Sequence, residues 1–294
     1  MNSQKKLGSR AFDVAHLIAL AALVFVTIYP LYYIGIVSIS DGTAVNRGDV
    51  RLLPVDPTFE AYLTVFRNKD IWRAYSNTII YTVAGTLINL FFSSLCAYPL
   101  SRKDFYGRSV FTFIIALTMF LSGGMIPLYI VVRKLRLIDT MWALVLPGAV
   151  NTFNMIIMRT FFQGIPASLH ESARIDGAND IRVLRSIVLP LSMPIMATMT
   201  LFYAVQHWNS FFNALIYLNT KAKYPVQIML RNIVVASEFA DQQADIGSVS
   251  TNFNVVAQNY KYAVIMITVL PIICAYPFLQ KHFAKGAMIG AIKG

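Results

Sequence analysis

The chain has 294 residues, 56% of them hydrophobic and 13% charged, with 25 Lys and Arg against 14 Asp and Glu. The apolar excess and a positive mean hydropathy mark a membrane protein rather than a soluble one. The basic excess does not make it a nucleic-acid binder, because Lys and Arg never cluster into a soluble basic domain.

About 20 apolar residues cross a bilayer core, so the charge-free runs count as six spans, approximately residues 17–39, 76–100, 109–132, 141–158, 189–217 and 262–280. The first run follows Lys5, Lys6 and Arg10 as a signal peptide would. It exceeds a usual signal core, carries Tyr29-Pro30 near its end and lacks a small-residue cleavage site, so it stays as an anchor. The outer loop behind it holds Pro54, Pro57 and an apolar pattern through Phe59, Tyr62, Leu63, Phe66 and Trp72, which suits an interfacial helix. Residues 1–74 thus make an anchor and a first outer loop, and residues 75–294 hold the other five spans. The expected fold class is an all-α integral membrane protein of six transmembrane helices, with both termini on one side.

Charge decides which side. With the termini inside, the inner segments hold thirteen basic and five acidic side chains, and the much longer outer loops hold twelve and nine. The positive-inside rule therefore places both termini in the cytoplasm. Arg133, Lys134 and Arg136, in the short outer loop between the third and fourth spans, go against the rule and leave a re-entrant or partly buried segment open there. Cys96 and Cys274 fall within spans near the cytoplasmic half, where no oxidising machinery acts, so a disulfide is not expected.

Between the fourth and fifth spans, at about 163–190, lies a polar insertion. Pro166 suits the first turn of a short helix, with Ser168 and Glu171 spaced as a capping box. Asp176-Gly177 supplies a turn, and Asn179 caps a second short helix carrying Arg182 and Arg185 toward Pro190. The expected product is a helical hairpin outside the bilayer.

On the fifth span Tyr203, Gln206, Ser210, Asn213 and Tyr217 recur every three or four residues as a polar stripe, flanked by His207 and Asn209. Asn154 and Asn151 on the fourth span and Asn89 on the second are weaker companions. Two readings stand: a wet path for a polar solute, or hydrogen bonds that join helices. A long loop, residues 218–261, then separates the last two spans. The chain has no Walker A sequence, so it needs an energising partner. His170-Glu171 lacks the second histidine of a zinc-protease motif, and no catalytic, metal-ligating or cofactor-binding set recurs. The spans hold no ion-coupling carboxylates of the kind a stand-alone secondary transporter uses.

Glu171-Ser172-Ala173, then three residues, Gly177, nine residues, and Ile187-Val188-Leu189-Pro190 resemble the EAA loop of permease subunits of binding-protein-dependent ABC importers. Ser172 for the first alanine is the single departure, small for small. Trp208-Asn209-x-Phe211, Asp176-Gly177-Ala178 and the terminal Gly290-Ala291-Ile292-Lys293-Gly294 further resemble carbohydrate-uptake permeases of the maltose-importer type. Gly123-Gly124-Met125-Ile126-Pro127 and the stretch from Trp142 to Phe162 resemble a branch importing oligosaccharides, uronate-containing ones such as alginate fragments included.

The resemblance implies a type I importer permease fold in a bacterial inner membrane, with the hairpin as a coupling helix. Glu171, Ser172, Ala173, Asp176, Gly177, Ala178, Ile187, Leu189 and Pro190 are the implied ATPase-coupling residues, and Gly290, Ile292, Lys293 and Gly294 the implied tail between the ATPases. Implied partners are a second homologous permease, a dimer of ATP-binding subunits that hold ATP and magnesium, a periplasmic or lipid-anchored solute-binding protein, a sugar, and membrane lipids. The sugar path draws on Tyr203, Gln206, His207, Asn209, Ser210, Asn213 and Asn154.

Overall fold

A computed structural model describes residues 3–245 and 259–274, and every regular element among them is helical. The elements are α1 (Ser3–Ser38), α2 (Gly42–Arg47), α3 (Glu60–Arg67), α4 (Lys69–Ser101), α5 (Arg108–Leu117), α6 (Met125–Lys134), α7 (Trp142–Val145) and α8 (Thr152–Gln163). After them come α9 (Ala167–Ile175), α10 (Asp180–Val183), α11 (Leu189–Leu191), α12 (Met193–Trp208), α13 (Phe212–Tyr217), α14 (Val226–Asp245) and α15 (Asn259–Cys274).

Among the described residues two helices are individually long and apolar enough to cross a bilayer: the 27-residue stretch Phe12–Ser38 of α1, and α4 with 33 residues. At 1.5 Å per residue each reaches beyond a hydrocarbon core of about 30 Å. The third and fourth apolar runs are not single helices, contrary to the sequence expectation, and the fifth, whose length already favours tilt or a kink, is interrupted too. Run 109–132 breaks between α5 and α6, where Ser122, Gly123 and Gly124 are poor helix formers and Gly124 takes φ +82°. Run 141–158 breaks at a 3-10 turn, Leu146–Gly148, containing Pro147, and Asn151 then caps α8 by accepting from the Asn154 amide at 3.0 Å. The fifth run is divided by a break at Asn209–Phe211.

The chain divides into two compact units, one built from residues up to Lys69 with Leu230–Val269, the other from Asp70–Met229 with the residues from Leu270. In the first, Ile36, Val37, Ala44 and Val50 form a small core on which Tyr33, Val45, Val55 and Tyr262 pack. Asp41 caps α2 by accepting from the amides of Thr43 and Ala44, and Gly48, at φ +73°, closes it. The expected interfacial helix is α3, which buries Ala61 and Val65 and exposes Leu63 and Phe66.

In the second unit, Ala97, Tyr98 and Leu100 of α4, Met155, Met158 and Phe162 of α8, and Met199 and Tyr203 of α12 share one core. At another place in this unit Asp139 organises a corner. Its carboxylate accepts from the amides of Asn219 and Thr220, both at 3.0 Å, from the Thr220 hydroxyl at 2.8 Å and from Lys223 Nζ at 2.7 Å. Asp139 itself sits at φ +60°, a conformation that a short polar residue tolerates. The Lys223 ammonium, followed by the Thr220 amide, holds its carboxyl well below the usual carboxylate range.

Asp139→Ala should cost about 1–3 kcal/mol, since it strands several donors at once, and Asp139→Asn less; thermal unfolding in detergent measures both. A depressed carboxyl pKa contributes stability that is complete above the unfolded value of about 3.9 and is lost as pH falls below it. Wild type should therefore lose more of its melting temperature than Asp139→Asn between pH 6 and pH 3.

Candidate functional site

The polar insertion folds as the expected hairpin, with one correction at its start. Pro166 occupies the N-cap of α9 and has no side-chain acceptor, so Ser168 falls inside the first turn and the capping box with Glu171 does not form. Ser172 instead returns its hydroxyl to the Ser168 carbonyl at 2.7 Å. The far end of α9 closes as a Schellman turn: the Ala178 amide donates to the Ala173 carbonyl at 2.9 Å and the Gly177 amide to that of Arg174 at 3.0 Å. That turn requires a left-handed residue, supplied by Gly177 at φ +76°. Asn179 then caps α10, accepting from the Arg182 amide at 2.9 Å.

From α10 the chain passes through a π-helical turn, Leu184–Val188, into α11, and then bends by 86° into α12. Pro190, which cannot donate to the helical ladder, and Pro194 bracket the bend. The hairpin's inner face is apolar. Ala173, Val183, Leu184 and Val188 are buried in the core shared by α4, α8 and α12. Ala178, Ile187 and Leu189 pack against that core, half buried.

Its flank is ionic. Arg102, in the loop after α4, pairs with Asp104 at 2.8 Å and Asp180 at 3.3 Å, and Arg174 pairs with the same two at 3.1 and 3.6 Å. Arg102 holds the Asp104 carboxyl down at about 2. The His170 imidazole is shifted below its ordinary value, first by burial and then by Arg102, so it is neutral at physiological pH. Exposed pairs contribute little singly, but this set joins one loop to both arms of the hairpin.

The outer face carries Glu171, Ser172, Asp176 and Gly177, all exposed, and Pro190 is exposed farther along. Sequence reasoning missed two residues there. Ile175 is 87% exposed and Ile181 72% exposed, one on each side of the Gly177 turn. Each lies two residues from a buried small or aliphatic side chain, Ala173 and Val183, hence on the opposite helical face.

The polar residues of the fifth run do not gather into one stripe. Tyr203 is fully buried and its hydroxyl meets Ser93 Oγ at 2.7 Å. His207 Nε2 meets Asn89 Oδ1 at 2.5 Å, and Asn89 Nδ2 donates to the Gly148 carbonyl at 2.6 Å. Asn154, buried on α8, adjoins the Tyr203 hydroxyl. These groups form a seam joining α4, α8 and α12, the geometry that a helix-joining role asks for. Gln206, Asn209 and Asn213 are exposed and Ser210 is half buried in the break before α13. Asn209 Oδ1 accepts from Gln227 Nε2 at 3.4 Å. The tail residues Gly290, Ile292, Lys293 and Gly294 lie outside the described residues.

The sequence profile of the family described as "Binding-protein-dependent transport system inner membrane component" matches residues 89–288. Over 290 residues the chain is 43% identical to the polygalacturonan/rhamnogalacturonan transport system permease protein YtcP of Bacillus subtilis, covering 98% of this chain and 100% of that one. It is 44% identical over 287 residues to Protein LplC of the same organism, covering 98% and 96%. Among solved structures it superposes, with a TM-score of 0.84 and 38% identity, on a chain of a bacterial ABC transporter involved in the import of the acidic polysaccharide alginate, covering 94% of this chain and 98% of that one.

The seam yields a direct test. A Cβ at Gly85 would overlap the His207 imidazole, so Gly85→Ala should displace the ring from Asn89 and cost about 1–3 kcal/mol of stability in detergent. Adding His207→Ala should recover part of that loss; strict additivity in the double-mutant cycle would refute the contact.

Proposed function

This chain belongs to the family of binding-protein-dependent transport system inner membrane components, and we propose that it is one of two permease subunits of an ATP-driven importer of acidic oligosaccharides. The observation that supports this reading is the hairpin, a lever seated in the core shared by α4, α8 and α12, with two uncovered isoleucines at its tip. Ile175 and Ile181 enter a groove of a cytoplasmic ATPase, one of a pair that holds ATP and magnesium. Glu171, Ser172, Asp176 and Gly177 line the contact, whereas Ala173, Ala178, Ile187 and Leu189 seat the lever on the spans and Pro190 marks its elbow. Closure of the ATPases moves the hairpins and tilts the helices, and hydrolysis resets them. The chain itself does no chemistry.

Six crossings follow, with α5 and α6 as one broken crossing, α7 and α8 as another, and α15 as the last. Breaks of this kind are tolerated where protein or a wet cavity covers the freed backbone groups. Both termini are cytoplasmic, in agreement with the charge asymmetry, and the tail through Gly290, Ile292, Lys293 and Gly294 reaches the ATPases. A second permease completes the pathway, and a solute-binding protein delivers cargo to the outer side. Gln206, Asn209 and Asn213 are the side chains placed to meet sugar hydroxyls.

The relatives' acidic polysaccharides support the cargo class, and so does one local anomaly. Arg133, Lys134 and Arg136 are all exposed in a short outer segment where the positive-inside rule disfavours them. A uronate chain is attracted by such a patch, and attraction of this kind acts mainly on the rate of encounter.

Two experiments test the reading. A Cβ at Gly177 meets nothing within 4 Å, and Asn and Asp are nearly equal in shape, so Gly177→Asn should retain most uptake while Gly177→Asp abolishes it with membrane insertion intact. Normal ATP-coupled uptake by Gly177→Asp would refute the docking surface. The double change Arg133→Gln with Lys134→Gln should slow uptake of a uronate oligosaccharide several-fold at low salt and leave a neutral one unaffected, as radiolabelled uptake into vesicles would reveal.

A further inference from the structure

A cavity of ≈ 560 Å³ lies beside the hairpin in the second unit, between the loop after α4, the start of α5, the end of α8, and α9. Its lining carries four cations, Arg102, Lys103, Arg108 and Arg174, against two carboxylates, Asp104 and Glu171. Arg102 and Arg174 are neutralised by Asp104 and Asp180 in the ionic flank. Lys103 and Arg108 pair with no carboxylate among the described residues, and neither does Arg159 of α8. Against these three stands the exposed Glu171, the one carboxylate of the lining outside the ionic flank. Positive charge is therefore in excess here.

Two of these cations converge on one atom. The Gln163 amide, part of the lining, faces donors, which fixes its oxygen toward them. That oxygen accepts from Arg159 Nε at 3.2 Å, from Arg159 Nη2 at 3.1 Å and from Arg108 Nη2 at 2.5 Å. Two half-buried guanidiniums thus share a neutral oxygen, and their like charges repel. Arg159 Nε also reaches the Leu100 carbonyl at 3.0 Å. For Arg108, a side chain with five N–H donors, the bond to Gln163 is the one found among the described residues. Water supplies acceptors without charge, whereas a group carrying several anionic oxygens on one centre meets both needs.

Place in the fold narrows the class. α4 is long enough to cross the bilayer and its charge-free part ends at Leu100. The cavity, lined from Ser101 and Arg102 onward, therefore sits at headgroup level. Phe105 and Tyr106, between Lys103 and Arg108, are exposed, as interfacial aromatics are. From Arg108 onward α5 exposes Val110, Phe111, Phe113 and Ile114, an apolar surface that begins where the cavity ends. Arg108 is also the first residue of α5, so the positive end of that helix adds to the attraction for an anion. We propose that the cavity binds the phosphate of an anionic phospholipid from the leaflet on the hairpin's side, with Arg108 and Lys103 on its oxygens and the acyl chains along α5. A guanidinium fork matches phosphate oxygens two at a time, and basic pockets at the ends of membrane helices hold anionic headgroups in this way. A soluble phosphate compound offers the same oxygens, but the apolar face of α5 favours the lipid. Bound there, the headgroup joins α5 and α8 to the loop that braces the hairpin.

The full chain, co-purified with its partner subunits in detergent and delipidated, can be titrated with phosphatidylglycerol and with phosphatidylcholine and read by native mass spectrometry. Phosphatidylglycerol should bind more tightly. Arg108→Gln should weaken the tightest phosphatidylglycerol about fivefold and Arg108→Gln with Arg159→Gln about 25-fold, each cation counting for a factor of about five at a membrane surface. Phosphatidylcholine binding should not change, and Arg231→Gln, which removes the same charge from α14, should alter neither. In phosphatidylglycerol nanodiscs the wild type should melt higher than in phosphatidylcholine, and Arg108→Gln should lose that rise. In phosphatidylcholine alone Arg108→Gln should melt no lower than wild type, because it relieves a like-charge contact. Equal binding of the two lipids by the wild type overturns the proposal, as does a phosphatidylglycerol preference that survives the double change. So does a melting temperature lowered equally in both lipids by Arg108→Gln, which marks an arginine with a structural role alone. Displacement of the lipid by glycerol 3-phosphate at matching concentration overturns the lipid in favour of a soluble phosphate. Lipid binding is read without transport, so its failure leaves the importer reading standing, and the reverse holds as well.

Discussion

The arrangement depends on one piece of packing: the inner face of a polar hairpin shares its apolar core with α4, α8 and α12. Ala173, Val183, Leu184 and Val188 do not merely cover these helices; they interlock with Tyr98, Met158 and Tyr203 in a single cluster. Interiors packed in this way have low compressibility and pass displacement on instead of absorbing it. The ionic flank of Arg102, Asp104, Arg174 and Asp180 adds direction more than strength, because all of its members but Arg102 are at least half exposed and screened. Together they make the hairpin an extension of the membrane part rather than an appendage to it.

Much of the hairpin was legible in the sequence because its turns obey short-range rules. Gly177 and Asn179 act through fixed offsets of three to five residues, and both behave as their types predict. The capping box failed on the same ground, since its rule needs Ser168 at the cap and the helix starts earlier, at Pro166. Ile175 and Ile181 were within reach of the same arithmetic, as counting two residues from a buried position gives the exposed face of a helix.

Long-range features were hidden for a different reason. Counting apolar residues reports whether a segment tolerates lipid and says nothing about whether its hydrogen-bond ladder is continuous, so the interruptions at Gly124, Pro147 and Asn209 escaped it. The seam was hidden because pairing His207 with Asn89 and Tyr203 with Ser93 joins residues more than a hundred positions apart. The stripe on the fifth run looked uniform on a helical wheel only while that run was taken as one helix.

The right-angled elbow at Ser192 has a mechanical consequence. A rod pushed along its own axis must slide past every neighbour, breaking each side-chain contact in turn, whereas a rod pushed sideways at one end can swing about a fixed point. With the hairpin's second arm, Asp180–Leu191, set at 86° to α12, a shift of that arm along its own length reaches α12 as a sideways force at its end. The hydrogen-bonded seam lies about 15 Å along the helix, ten residues from Met193 at 1.5 Å each, and is well placed to serve as the pivot. Movement on one side of a pivot is reversed on the other, so a sideways push at Met193 would carry the last turn of α12, which ends at Trp208, the opposite way.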